Sequence, residues 1–126
     1  MKATMITVIE QYRAALNGID RAAYMACFSE DALLQDPYGG RPLEGVDGLN
    51  RFFKGMERAW QSFDMTFGEP YPGGNRVAVS WQVTAVAHSG KQVTFSGINL
   101  FTINDDGLIS QLDGYWDAAA MMAQLS

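Results

Sequence analysis

Three polar side chains stand where the surrounding pattern calls for apolar ones, and each has a chemistry to offer. Asp36 lies in the stretch LLQDPYGGRPLEG, directly after Leu33 and Leu34 and before Pro37 and the pair Gly39-Gly40. A carboxylate in an apolar cleft has its pKa raised by desolvation, which makes it a usable base near neutral pH. A turn aspartate ahead of a proline explains the same residues, and the local sequence supports both readings equally. Tyr12 falls on the inward helical stripe of Val8, Ile9, Ala15 and Leu16, where a buried phenol needs a hydrogen-bond partner. On its own it reads as a core tyrosine whose tip reaches the surface. Asn99 is the one polar side chain in the row Val93, Phe95, Gly97, Phe101, Ile103, which shares a strand face by its period of two. A buried amide left unpaired costs about 1–3 kcal/mol, so Asn99 either ties down a neighbouring strand or meets a ligand. The row alone favours the tie. These three signals, on three elements, gain weight only if one fold brings them together.

Other chemistries are poorly supplied. His88 is the single histidine and sits beside a turn, so a Ser-His-Asp or Cys-His site would have to be built on a solvated position. Cys27, the single cysteine, reads as a small core residue on a short helix. One Cys and one His do not make a structural zinc site. Gly39-Gly40 and Gly73-Gly74 lack the strand-turn-helix setting of a phosphate loop. Asp105-Asp106-Gly107 is a hairpin with no calcium-ligand series after it. Asp113 and Asp117 are expected to face solvent. No metal and no cofactor is expected.

A net charge of −5 argues against nucleic acid or an anionic membrane as the main partner, because both need a basic footprint. No apolar run is long enough to span a bilayer, and the opening residues MKATMITVIEQYR turn polar too soon for a signal peptide. The lone cysteine excludes an intrachain disulfide and points to a reducing, cytoplasmic compartment. With 126 residues, 48% of them hydrophobic, the chain is expected to form one domain, 1–126, with a single core.

The elements that must position these residues follow from periodicity. Met5, Val8, Ile9, Tyr12, Ala15 and Leu16 predict a helix ended by Asn17-Gly18. Asp20 predicts the N-cap of a short helix from Ala22 to Phe28. Residues 32–35 are expected to be extended, and Pro37 pushes Asp36 towards extended geometry as well. A third helix is expected from Gly45 to Trp60. Strands are predicted at Phe63–Phe67, Arg76–Ala87, Gln92–Ile103 and Leu108–Trp116, with turns at Tyr71–Asn75, Ser89-Gly90 and Asp105–Gly107. Three helices followed by a curved antiparallel meander make an α+β fold in which the helices close one face of a bent sheet.

The sequence resembles the ketosteroid isomerases, within the cone-shaped fold of the nuclear transport factor 2-like proteins. The resemblance runs nearly end to end and is clearest in QYRAALNGID, ALLQDPYGGRPLEG and GINLFTINDDGLISQLDGYW. It implies a cone-shaped, curved antiparallel β-sheet closed by three N-terminal helices. It also implies roles: Asp36 as general base, Tyr12 and Asn99 as oxyanion donors. The best-known members carry a protonated aspartic acid at the third position. Asparagine donates through its NH2 without any pKa tuning, though more weakly. Phe28 and Phe53 fall at or near positions where some members have supporting tyrosines. Trp116 and Gly114 match positions lining the family pocket, one as an apolar wall and one leaving room. Leu112, Phe53, Phe95, Phe101 and Trp81 are further candidates for contact with substrate.

The implied activity moves a double bond of a 3-oxo-Δ5 steroid, or a similar small apolar carbonyl substrate, into conjugation. Polyketide cyclases of the same fold offer an aldol ring closure with Asp36 still as base. A non-catalytic module that binds a small apolar ligand or dimerises is a third reading. The resemblance also implies a homodimer formed through the outer face of the sheet.

Overall fold

The computed structural model describes residues 2–126. The first helix, α1 (Lys2–Asn17), buries Met5, Val8, Ile9, Tyr12, Ala15 and Leu16, the six residues of the predicted stripe. Asp20 caps α2 (Arg21–Met25) by accepting from the Ala23 amide. This helix is shorter than expected. Its last residues turn at Cys27, and Phe28 instead opens strand β1 (Phe28–Gln35), where it is buried. A two-residue strand, β2 (Leu43–Glu44), leads into α3 (Gly45–Ala59). The remaining strands are β3 (Trp60–Phe67), β4 (Tyr71–Gly73), β5 (Arg76–Ala87), β6 (Gln92–Ile103) and β7 (Ile109–Tyr115). A short α4 (Ala118–Ala123) follows, capped by Asp117 through the Ala120 amide.

The sheet order is β2-β1-β7-β6-β5-β3, with β4 pairing on β5. Strands β5 and β6 have the predicted bounds because their alternation is clean: Val77, Val79, Trp81, Val83, Ala85 and Ala87 are buried on one face of β5. The expected antiparallel meander is formed by β3, β5, β6 and β7. The extended segment β1 adds to it in parallel along β7, with Leu34 opposite Leu112 and Gln35 opposite Asp113. The three expected helices also gain a fourth, α4, after the last strand. It is a short run with no buried residue of its own, so it left little periodicity to read.

Helix α1 is pinned to β3 by Asn17. Its side-chain carbonyl accepts from the Met65 amide at 2.7 Å, and its NH2 donates to the Met65 carbonyl at 3.1 Å. That is a strand-like pair made by one side chain, and it fixes the rotation of the helix that carries Tyr12. No helix among the described residues is long and apolar enough to cross a membrane.

Candidate active site

Strand register places the three residues on neighbouring rows. Asn99 of β6 sits opposite Gly114 of β7. Gln35 of β1 sits opposite Asp113, so Asp36, the next residue, arrives beside Gly114. The Tyr38 amide then donates to the Gly114 carbonyl at 2.6 Å, which holds the loop after Asp36 against β7. Gly114 is essential to this arrangement because a Cβ there would overlap Asp36 Oδ1 and come within 3.1 Å of Asn99 Oδ1. Gly114→Ala is therefore expected to push the carboxylate aside. A displacement of about 1 Å costs on the order of a hundredfold in rate. Steady-state kinetics of Gly114→Ala check this, and kcat within about threefold of wild type would show that the crowding does not matter.

Trp116 Nε1 donates to Asp36 Oδ1 at 2.5 Å. The resemblance made Trp116 an apolar wall, and it is also the polar handle of the carboxylate. Asp36 is half-buried as a residue, but its carboxylate is turned away from solvent and lines an apolar cavity of about 300 Å³. Desolvation pushes its pKa from the usual 3.8 to about 6, and the Trp116 hydrogen bond works in the opposite direction. Tyr12 and Asn99, both 1% exposed, line the same cavity. Burial, and after it the Asp36 charge, raise the Tyr12 pKa well above its ordinary 10, while the Asn99 side chain favours the ionised form. Tyr12 is therefore a neutral phenol near neutral pH.

Trp81 decides which way Asn99 faces. Its indole N–H, which only donates, reaches Asn99 Oδ1 at 2.8 Å. The oxygen is thus occupied and the NH2 is left facing Tyr12. Trp81 lies opposite Gly97, two residues from Asn99 on the same face, which is the diagonal reach of a long side chain. The tie to a neighbouring strand is thus present, made through the amide oxygen.

The other expected contacts divide. Trp81, Phe95 and Trp116 line the cavity. Gly114, Phe53, Phe101 and Leu112 do not; the last three are 0% exposed and lie behind its wall. Phe101 packs edge-on against Tyr12 at 5.1 Å and so orients the phenol from behind. Among the residues unforeseen in the lining are Met56, Phe63, Met65 and Arg51. The helical stripe that includes Met56 and the alternation of Phe63 with Met65 signalled burial, but burial does not separate core from cavity wall. Phe28 and Phe53 surround Tyr24 instead of carrying hydroxyls of their own. The fully buried Tyr24 hydroxyl has no hydrogen-bond partner among the described residues.

Residues weighed and set aside also find their places. Asp113, expected in solvent, is 3% exposed and is held by Arg76, Gln35 and Gln111. Asp117 is exposed, as expected. His88 is exposed, with Nε2 against the Glu57 carbonyl at 2.8 Å. Cys27 is buried, its thiol pushed up to about 11 by desolvation, which makes it an inert core group.

Residues 9–112 match the SnoaL-like domain, most of the chain and all three candidate residues. The chain belongs to the SnoaL-like family. This SnoaL-like protein is 26% identical over 122 residues to a steroid Delta-isomerase of Nocardioides simplex, covering 97% of each chain. Its fold is shared with a putative polyketide cyclase of Xanthomonas campestris pv. campestris, at TM-score 0.81 and 20% identity over 98% of both chains. It is shared also with a Mycobacterium tuberculosis protein solved in complex with estradiol-17beta-hemisuccinate, at TM-score 0.82 and 19% identity over 92% of this chain and 95% of that one. The α+β cone is thus the fold of this protein, and the SnoaL-like domain is its family.

Proposed function

We propose that this SnoaL-like protein is an allylic isomerase that moves a double bond into conjugation with a carbonyl, its substrate a 3-oxo-Δ5 steroid or a similar apolar enone precursor. The observation that carries this reading is the buried Asp36 carboxylate, held at one oxygen by Trp116, in an apolar cavity also lined by two donors, Tyr12 and Asn99. Asp36 removes the proton from the carbon between the carbonyl and the double bond. The electron pair moves onto the carbonyl oxygen, giving a dienolate. Tyr12 O–H and Asn99 NH2 hold that oxygen, and donors fixed before charge develops are the main source of such rate enhancement. Asp36, now a carboxylic acid, returns the proton to the far carbon of the dienolate, and the enone is formed. Trp116 occupies Oδ1, which leaves Oδ2 to carry the proton.

The kinship to a steroid Delta-isomerase supports the substrate class, and the fold accommodates a steroid ester in the Mycobacterium tuberculosis protein. The test is the rise in ultraviolet absorbance as a 3-oxo-Δ5 steroid becomes a conjugated enone. Absence of that rise with folded protein, together with ring closure of a polyketide ester, would move the base to aldol chemistry. The fold shared with a putative polyketide cyclase keeps that second reading in place.

Tyr38 and Tyr115 stack at 5.1 Å on the exposed outer face, next to Ile98 opposite Tyr115 in the sheet. This apolar patch supports a homodimer through the sheet. Sedimentation as a monomer at micromolar concentration would remove that part of the proposal.

A further inference from the structure

Three of the nine basic residues of this acidic chain, Arg51, Lys54 and Arg58, fall on α3. Spacings of three and four place them, with Gly55, on one helical stripe. All four are exposed, and Arg51 and Gly55 line the mouth of the cavity that holds Asp36. A Cβ on Gly55 would meet nothing within 4 Å, so the stripe opens there. Arg13, Arg21 and Arg76 each pair with a carboxylate. Among the described residues, Arg51, Lys54 and Arg58 form no ion pair. A solvated cationic face is ordinary on a helix, but this one ends in the lining of an otherwise apolar cavity. That cavity runs from a buried carboxylate and two buried donors to an exposed guanidinium. Its volume, about 300 Å³, lies at the small end of ligand sites, so a tail carried on a ligand that fills it extends past the mouth, where Arg51 stands. The guanidinium fork fits carboxylate and phosphate oxygens.

Resting on the isomerase reading, we infer that the substrate is amphipathic: its apolar carbonyl end fills the cavity, and its far end carries an anionic group received outside by Arg51, with Lys54 and Arg58 alongside. The cationic stripe then selects among substrates while taking no part in the proton transfer.

The test compares estradiol-17β-hemisuccinate with its neutral methyl ester, followed by quenching of tryptophan fluorescence. The acid is expected to bind roughly fivefold more tightly than the ester at low salt, as an exposed ion pair provides. That ratio is expected to fall to about one in Arg51→Ala and at about 0.5 M salt, and to invert in Arg51→Glu. Equal affinity for the two probes in the wild type would overturn the inference, as would a preference for the acid that survives in Arg51→Glu. Conversion of a neutral 3-oxo-Δ5 steroid, assayed in parallel, separates the two failures. Turnover without acid preference removes the anionic tail and leaves the isomerase, whereas absence of both turnover and probe binding removes both.

Discussion

Asp36→Asn is expected to lower conversion of a 3-oxo-Δ5 steroid by at least about a thousandfold, within the range that a positioned general base contributes. The amide keeps the shape and can still accept from Trp116, but it cannot take the proton. Binding of an apolar steroid is expected to persist, which distinguishes loss of the base from loss of the cavity. In the wild type, kcat/KM is expected to fall as the pH drops through about 6, where the carboxylate becomes protonated.

The same raised pKa predicts the effect on stability. Between the ordinary 3.8 and about 6 the folded chain binds more protons at this site than the unfolded chain does. Stability from this group is therefore lost as the pH rises through that window. At pH 8 the buried charge costs about 3 kcal/mol, and Asp36→Asn is expected to melt higher than wild type there, with the difference vanishing below about pH 4. Thermal unfolding at the two pH values checks it. A variant that turns over like wild type would end the role of Asp36 as base, and a lower melting point at pH 8 would end the account of its burial.

Tyr12→Phe has the second largest expected effect. Loss of one donor to a developing oxyanion costs roughly 2.7–4 kcal/mol, or a hundred- to thousandfold in kcat. The ring itself is retained, so its packing against Phe101, Phe28 and Tyr24 remains, and the melting point is expected to change little. Asn99 stays in place as the second donor, held by Trp81, and accounts for the activity that survives. The orphaned Tyr24 hydroxyl offers no replacement, because Tyr24 lies outside the cavity lining. A kcat within a few-fold of wild type would make Tyr12 an ordinary core tyrosine.

Much of the scaffold was legible because one-sided burial writes a regular period into the chain. The six-residue stripe of α1 and the alternation of β5 and β6 were read at the right residues, and so was the Asp20 cap. The short elements β2, β4 and α4 were missed because two to six residues carry too little periodicity. The parallel pairing of β1 with β7 joins segments far apart in sequence, and no local pattern announces it.

The candidate site divides along the same line. Residue types at Tyr12, Asp36 and Asn99 were conspicuous because a polar group on an apolar stripe is costly, and the sequence alone determined that each needs a partner. It could not choose between turn and base at Asp36, nor between strand tie and donor at Asn99. Register placed both residues on one cavity, and the roles proposed for them rest on that placement. It brought Asp36 and Asn99 to either side of a glycine with no Cβ to separate them, and it set Trp81 and Trp116 to hold one oxygen of each. It also sent Phe53, Phe101 and Leu112 behind the wall and brought Arg51 to the mouth. Burial is a local preference that a sequence records, whereas the direction in which a buried atom faces depends on neighbours that only the folded sheet brings into reach.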